Sequence, residues 1–313
     1  MKHAQEGFVL VIVLWVLAIL SIVTIGLGQR SWLDRRAARY ALDHTQAMMA
    51  AQGAVQRGVV ELRNKAIPNS LYPEEGMLTH YGQSWARRAN LLEDEAYFPG
   101  GEAFANDDIY YLIQDDEALI NVNVAPEELL KELKQLSRSA FRSIMKRRIE
   151  ETAPGVPPTL YQAPEELRYE RGITEEDWFG NDEESGLKDL ITTSGDGKIN
   201  INTASREVLA CIPDVEDEAV EAMLGFRNGP DGLPRTEDDR GFKSFEEISR
   251  EVDVKGDTLI ALQSYGKLTS NLFTVRGIAT RRQGAVRAVC AASVQIAGTK
   301  AVTTGWREEH LGP

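Results

Sequence analysis

Cysteine, histidine and basic residues are all scarce in this chain. Among 313 residues there are two cysteines and four histidines. Two thiols, Cys211 and Cys290, cannot build a disulfide scaffold or a zinc ribbon; both read as buried thiols, with a bridge between them left open in an oxidising compartment. The histidines (His3, His44, His80 and His310) are scattered, and no two stand at the spacing of a zinc-binding helix. Lysine and arginine number 35 against 48 acids, for a net charge of −13. A chain so charged repels nucleic acid and anionic lipid except where its few bases are clustered. The sequence also lacks G-x-S-x-G, a P-loop and H-E-x-x-H. Acid runs such as Glu93-Asp94-Glu95 come without a histidine or a metal pattern and read as solvated surface, so no enzyme is expected.

What the chain does have is one long uncharged run, FVLVIVLWVLAILSIVTIGLG at residues 8–28. At about 1.5 Å per residue it spans the ~30 Å hydrocarbon core of a bilayer. A cleavable secretory signal has a shorter apolar region and a small-x-small cut site after it, whereas QRSWLDRRAARYALD follows here. From Gln29 to Ala66 there is no proline, and good helix formers dominate. Leu33, Ala37, Ala41, Met48, Ala51, Val55, Val59 and Leu62 recur at helical spacing. The pattern predicts one helix of about 55 residues, roughly 80 Å long. Its first half needs lipid or similar helices, and its second half needs a globular head to lie against. Arg30, Arg35, Arg36 and Arg39 follow the apolar run, against Lys2 before it. By charge alone they would hold the body of the chain in the cytoplasm.

Further on, Ile120-Asn121-Val122-Asn123-Val124-Ala125 matches Ile199-Asn200-Ile201-Asn202-Thr203-Ala204, and Glu128-Leu129-Leu130 matches Glu207-Val208-Leu209. Asn121 and Asn200 stand 79 residues apart. Two copies of one supersecondary unit are implied rather than a solenoid. Each copy reads as a short extended segment followed by a helix. Asn123 in the first copy, and Asn202 or Thr203 in the second, are the expected helix caps, with Pro126 and Ser205 suited to the first turn. DDIYYLIQ at 107–114 reads as a strand, and residues 115–264 as mostly helical. Beyond Gly266, two alternating segments predict an antiparallel hairpin. Val286, Ala288, Cys290, Ala292, Val294 and Ile296 share its inner face. This hairpin should pair with the 107–114 strand and cover the long helix.

Four of these features together resemble the type IV pilin and pseudopilin family. They are a short leader ending in Gly7, the following Phe8, the uncharged run and the continuous amphipathic helix. The resemblance implies that a prepilin peptidase cuts between Gly7 and Phe8 and that the new amino terminus on Phe8 is methylated. Family members usually carry Glu at the fifth mature position; Ile12 stands there in this chain. That absence, with GITEEDWFGNDEESGLKDLITTSGDGKININTAS and FKSFEEI, resembles the minor pseudopilin K of type II secretion. The implied fold is α+β: a long N-terminal transmembrane and amphipathic helix, and a pilin-like α/β head with a small antiparallel sheet. A large, mostly helical domain with helix-hairpin-helix (SAM-like) units is inserted into that head. The expected division is a leader at 1–7, helix at 8–66, head at 67–114 and 265–313, and inserted domain at 115–264. The implied role is to initiate the pseudopilus and cap its tip, in hetero-oligomers with other minor pseudopilins. The chain would be anchored once in the bacterial inner membrane with its head in the periplasm.

ININTAS is also similar to the helix-hairpin-helix modules of DNA-binding proteins, so a membrane-anchored DNA receptor of the competence type is the rival reading. A DNA-binding hairpin needs a Gly-rich turn with nearby bases. Here the turn reads IPDVEDEAVEAM, and the carboxylates of Asp214, Glu216, Asp217 and Glu218 repel phosphate. No nucleic acid is therefore expected as a partner. The loop RNGPDGLPRTEDDRGF at 227–242 carries Asp231, Glu237, Asp238 and Asp239. Calcium takes six to eight oxygen ligands of this kind, although the loop lacks EF-hand spacing. It reads either as a solvated loop or as a calcium site, and calcium binding is what the family resemblance implies. Asp182, Glu183, Glu184, Asp189 and Asp196 form a second acidic set with the same chemistry.

Overall fold

A computed structural model describes residues 3–66, 78–86, 109–149, 155, 157–282 and 284–309. The chain opens with α1 (His3–Ala66), a single helix of 64 residues. It is longer than the sequence pattern suggested because residues 3–7 continue the same helix. Its apolar part is long enough to cross a bilayer and is fully exposed. Burial begins only at Asp43 and then follows Ala47, Ala51, Ala54, Val55 and Leu62. Leu33, Ala37 and Ala41, expected on the packed face, lie outside it and are exposed. The head does not reach that far along the helix.

α1 packs on a four-stranded antiparallel sheet of order β1-β6-β7-β8, formed by β1 (Ile109–Asp115), β6 (Leu272–Arg281), β7 (Val286–Ala297) and β8 (Lys300–Glu309). Ile113 pairs with Val275, and Val275 with Ala292, so the predicted hairpin and the early strand meet in one sheet. All six inward residues from Val286 to Ile296 are buried against α1 and its neighbours. β8 was not foreseen. Its sequence KAVTTGWREE is polar, and its pairing with β7 is broken by an irregularity between Ser293 and Val294. An edge strand of this kind buries little and carries little apolar alternation to read. Glycine permits the close helix–sheet contact. A Cβ on Gly277 would lie 2.1 Å from the Ala51 carbonyl oxygen, and one on Gly58 would lie 2.5 Å from Val275 Cγ1.

A second core gathers residues from Ile120 to Leu262. It is built of short elements: β2 (Ile120–Asn121), α2 (Glu127–Lys131), α3 (Arg138–Ile149), α4 (Glu175–Phe179), α5 (Leu187–Leu190), β3 (Ile191–Thr192), β4 (Ile199–Asn200), α6 (Arg206–Leu209), α7 (Asp217–Arg227), α8 (Phe245–Glu251), α9 (Gly256–Tyr265) and β5 (Gly266–Lys267). β2 pairs with β3 and β4 with β5, both in parallel. The two parallel pairs give each copy of the repeat the same frame. Gly172 has φ 95° at the turn before α4, where a Cβ would meet the Ser139 hydroxyl. Cys211 and Cys290 are buried and unbridged, in different cores.

Candidate functional site

The repeated asparagines are not helix caps. Ser205 caps α6 by accepting from Val208 N, and α2 begins after Pro126 with no side-chain cap. The asparagines instead tie distant loops to the repeat. Asn121 Oδ1 accepts from Asn123 N at 2.9 Å, and Asn200 Oδ1 from Asn202 N at 3.1 Å. The second asparagine of each pair then holds both the N–H and the C=O of one distant residue. Asn123 donates to Tyr161 O at 2.9 Å and accepts from Tyr161 N at 3.0 Å. Asn202 does the same with Phe242 O at 3.0 Å and Phe242 N at 2.8 Å.

An arginine completes each copy. Arg148 donates to Val122 O at 2.7 Å and Ala125 O at 2.8 Å; Arg227 donates to the matching Ile201 O at 3.0 Å and Ala204 O at 2.8 Å. These two arginines keep the 79-residue offset of the motif. A longer alignment of the two copies would have found them. Arg227 is buried, and burial lowers its pKa from the ordinary value.

The head and the second core meet at three consecutive acids that the sequence reading passed over: Asp115, Asp116 and Glu117. Asp115 is 3% exposed. Its Oδ2 accepts from Ser270 Oγ at 2.6 Å, Thr203 Oγ1 at 2.6 Å and Asn200 Nδ2 at 2.9 Å, while Oδ1 accepts from Glu117 N at 2.9 Å. Burial raises its pKa, and the hydrogen bonds from Ser270, Thr203 and Asn200 oppose that rise. Glu117 is bound by Lys267 Nζ at 2.6 Å and by Asn271 N at 2.6 Å. Asp116 is held by Thr274 Oγ1 at 2.9 Å, and its pKa is pushed up to about 7, chiefly by burial. One carboxylate thus joins the end of β1, the second copy of the repeat and the segment leading into β6.

The acidic loop between α7 and α8 folds around its own carboxylates. Asp238 Oδ2 accepts from Asp231 N at 3.1 Å, Asp231 Oδ1 from Leu233 N at 2.7 Å, and Asp238 Oδ1 from Thr236 Oγ1 at 2.7 Å. Asp239 is 7% exposed and accepts from the backbone amides of Arg235 and Thr236 through Oδ2. Its Oδ1 is buried with no hydrogen-bond partner. Burial raises the pKa of Asp239, whereas the Thr236 hydroxyl holds Asp238 below the usual range. Glu237 and Asp239 line a cavity of about 510 Å³ together with His80 and Lys65. Burial lowers the pKa of His80 to about 4 and of Lys65 to about 8.

Among the described residues no three acidic, histidine or cysteine side chains converge in metal-binding geometry. The donor chemistry of the loop fits a hard cation, and the orphaned Asp239 oxygen is a ready ligand, but Asp231, Asp238 and Asp239 are each engaged by backbone amides in this conformation. The second acidic set is not brought together. Asn181 organises the turn at Glu183 and Glu184, while Asp196 pairs with Lys267 at 3.0 Å.

Gly7 and Phe8 both lie within the helical backbone of α1. The hairpin between α6 and α7 has Asp214 at φ 61°, where a phosphate-binding turn would use glycine. Arg206 beside it is held by Glu221 at 2.5 Å and Asp217 at 3.3 Å. Acids thus occupy the turn that a nucleic-acid phosphate would have to approach. Glu93-Asp94-Glu95 lie outside the described residues.

Comparison with known proteins fits this architecture. The family described as PilX N-terminal matches residues 6–56. No curated protein sequence matches the chain. Among solved structures, the chain is similar to one chain of the GspK-GspI-GspJ complex from the enterotoxigenic Escherichia coli Type 2 Secretion System. Identity is 15% and the TM-score 0.58, covering 88% of this chain and 100% of that one. The fold is thus the α+β pseudopilin fold, with a long N-terminal apolar helix, an antiparallel sheet and further helices.

Proposed function

We propose that this chain is a minor pseudopilin of type II secretion, similar to the K component, and that it initiates the pseudopilus and caps its tip. The observation that carries the reading is the combination of a pilin-type N-terminal helix with a full-length structural match to a chain of a pseudopilin complex. The second core is a large body beside the sheet that α1 carries. A body of that size suits a filament end better than a packed shaft. Ile12 at the fifth mature position fits the same place, because a terminal subunit has no neighbour above it whose amine needs a carboxylate. The role is assembly rather than catalysis, and its partners are other minor pseudopilins, which GspI and GspJ represent in the solved complex.

In this reading a prepilin peptidase removes residues 1–7 and Phe8 becomes the methylated amino terminus. α1 then anchors the protein once in the inner membrane with the head in the periplasm. The repeats serve as helix-hairpin-helix-like scaffolding for the inserted body. Calcium is held by the 227–242 loop, with Asp231, Glu237, Asp238 and Asp239 as its ligands. It would replace the loop's internal amide bonds and supply the neutralising charge that the Asp239 oxygen lacks. Co-expression of the full chain with its I- and J-type neighbours tests the reading. The three should co-purify in detergent, and a chain that never associates with either overturns it.

A further inference from the structure

One stretch of α1 belongs neither to the apolar span nor to the head. The uncharged run ends at Gly28, and the first side chain buried by the head is Asp43. Between them residues 29–42 are exposed on every side, about 20 Å of helix. Arg30, Arg35, Arg36 and Arg39 fall in this stretch, against the single acid Asp34. At about 100° per residue, three of the arginines fan across one side and Arg30 stands on the other, so the guanidinium groups surround the helix. Their contacts stay local. Arg35 Nε donates to Ser31 O at 3.1 Å, and the Arg36 guanidinium stacks 5.3 Å over the Trp32 ring. Trp32 is itself 55% exposed.

We propose that this arginine collar binds the phosphates of anionic phospholipid headgroups in the leaflet on the head side, and so sets how deeply α1 sits. Charge complementarity carries the inference. In a chain of net charge −13, a local excess of base directly beside a membrane span has anionic lipid as its natural counterpart. The spacing agrees. Arg30 lies about 3 Å and Arg36 about 12 Å beyond the apolar run. The headgroup layer is roughly 5–7 Å deep, and arginine stems reach back toward it. Guanidinium suits bidentate phosphate contact, and Trp32 sits at the depth where aromatic rings favour the interface. The inference needs only that α1 spans the membrane, so it stands or falls apart from the secretion reading.

The test reconstitutes the full chain in mixed phosphatidylcholine–phosphatidylglycerol vesicles, extracts it in native lipid discs and analyses the lipid carried with it. Phosphatidylglycerol should be enriched about twofold or more around the wild-type chain, and the enrichment should fall at high salt. R30Q/R35Q/R36Q/R39Q should abolish it with the near-UV spectrum of the head unchanged. The matching lysine variant should retain most of it. Equal lipid composition around wild type and the glutamine variant overturns the proposal. If the glutamine variant does not insert, the salt titration of the wild type decides: enrichment indifferent to salt, or none at all, overturns it.

Discussion

Replacing Asp115 should loosen the joint between the two cores. The carboxylate receives four donors in a site closed to water: Ser270, Thr203, Asn200 and the Glu117 amide. In Asp115→Ala the Glu117 amide loses its partner, and the two hydroxyls and the Asn200 amide must find others. Asn200 keeps bonds to Thr79 O at 3.2 Å and Ser270 Oγ at 2.8 Å, which softens the loss. Each buried donor left unmatched costs about 1–3 kcal/mol, and relief of the carboxylate's own burial returns part of that. The net expectation is a loss of about 2–4 kcal/mol. Asp115→Asn should cost less, since one acceptor oxygen remains for the Glu117 amide. Burial raises the pKa of Asp115, so the folded chain takes up a proton there more readily than the unfolded chain. Its contribution to stability therefore falls as pH rises past the ordinary aspartate range, and the Asn variant should lose that dependence. Urea unfolding of the full chain in mild detergent reads this through Trp85, buried in the head core, and Trp178, buried in the second core. Wild type should lose both signals together, and the Ala variant should separate them. A loss below about 1 kcal/mol with coincident transitions would refute the reasoning.

Other outcomes follow from single sites. Gly277→Ala should destabilise by about 1–3 kcal/mol in thermal unfolding, because its Cβ would strike the Ala51 carbonyl oxygen across the α1–β6 contact. His80, lowered to about 4 by burial, binds its proton later on acidification than the unfolded chain does. Stability should therefore fall as pH drops from about 6.5 to 4, and His80→Gln should flatten that limb in melting curves taken across the range. Calorimetric titration of calcium should show binding that Asp231→Asn/Asp238→Asn/Asp239→Asn removes; heat unchanged by the triple variant would sink the loop assignment. Arg227→Met should cost more than Arg148→Met in the same unfolding assay, since Arg227 is more deeply buried on the equivalent pair of carbonyls.

The elements that were legible are those whose pattern is long or alternating. α1 was readable because nothing interrupts it for dozens of residues, and β7 because six inward positions alternate without a break. The repeat was visible because INxNxA was written twice. Its chemistry was misread, because an asparagine before a helix looks like a cap, and nothing local reveals that Asn123 and Asn202 reach Tyr161 and Phe242, roughly 40 residues away in sequence. Asp115 was invisible for the same reason. Its partners come from residues 117, 200, 203 and 270, and a run of acids ordinarily reads as surface. Leu33, Ala37 and Ala41 kept the helical period but lay beyond the reach of the head. Periodicity marks a face without saying how far it is covered.

The proposed processing fixes the first residue of the mature protein as Phe8. The direct measurement is the intact mass and N-terminal residue of the chain expressed with and without a prepilin peptidase. A chain beginning at N-methylated Phe8 is expected when the peptidase is present, and one beginning at Met1 when it is absent. A chain that still begins at Met1 in the presence of an active peptidase would contradict it and leave α1 a simple anchor.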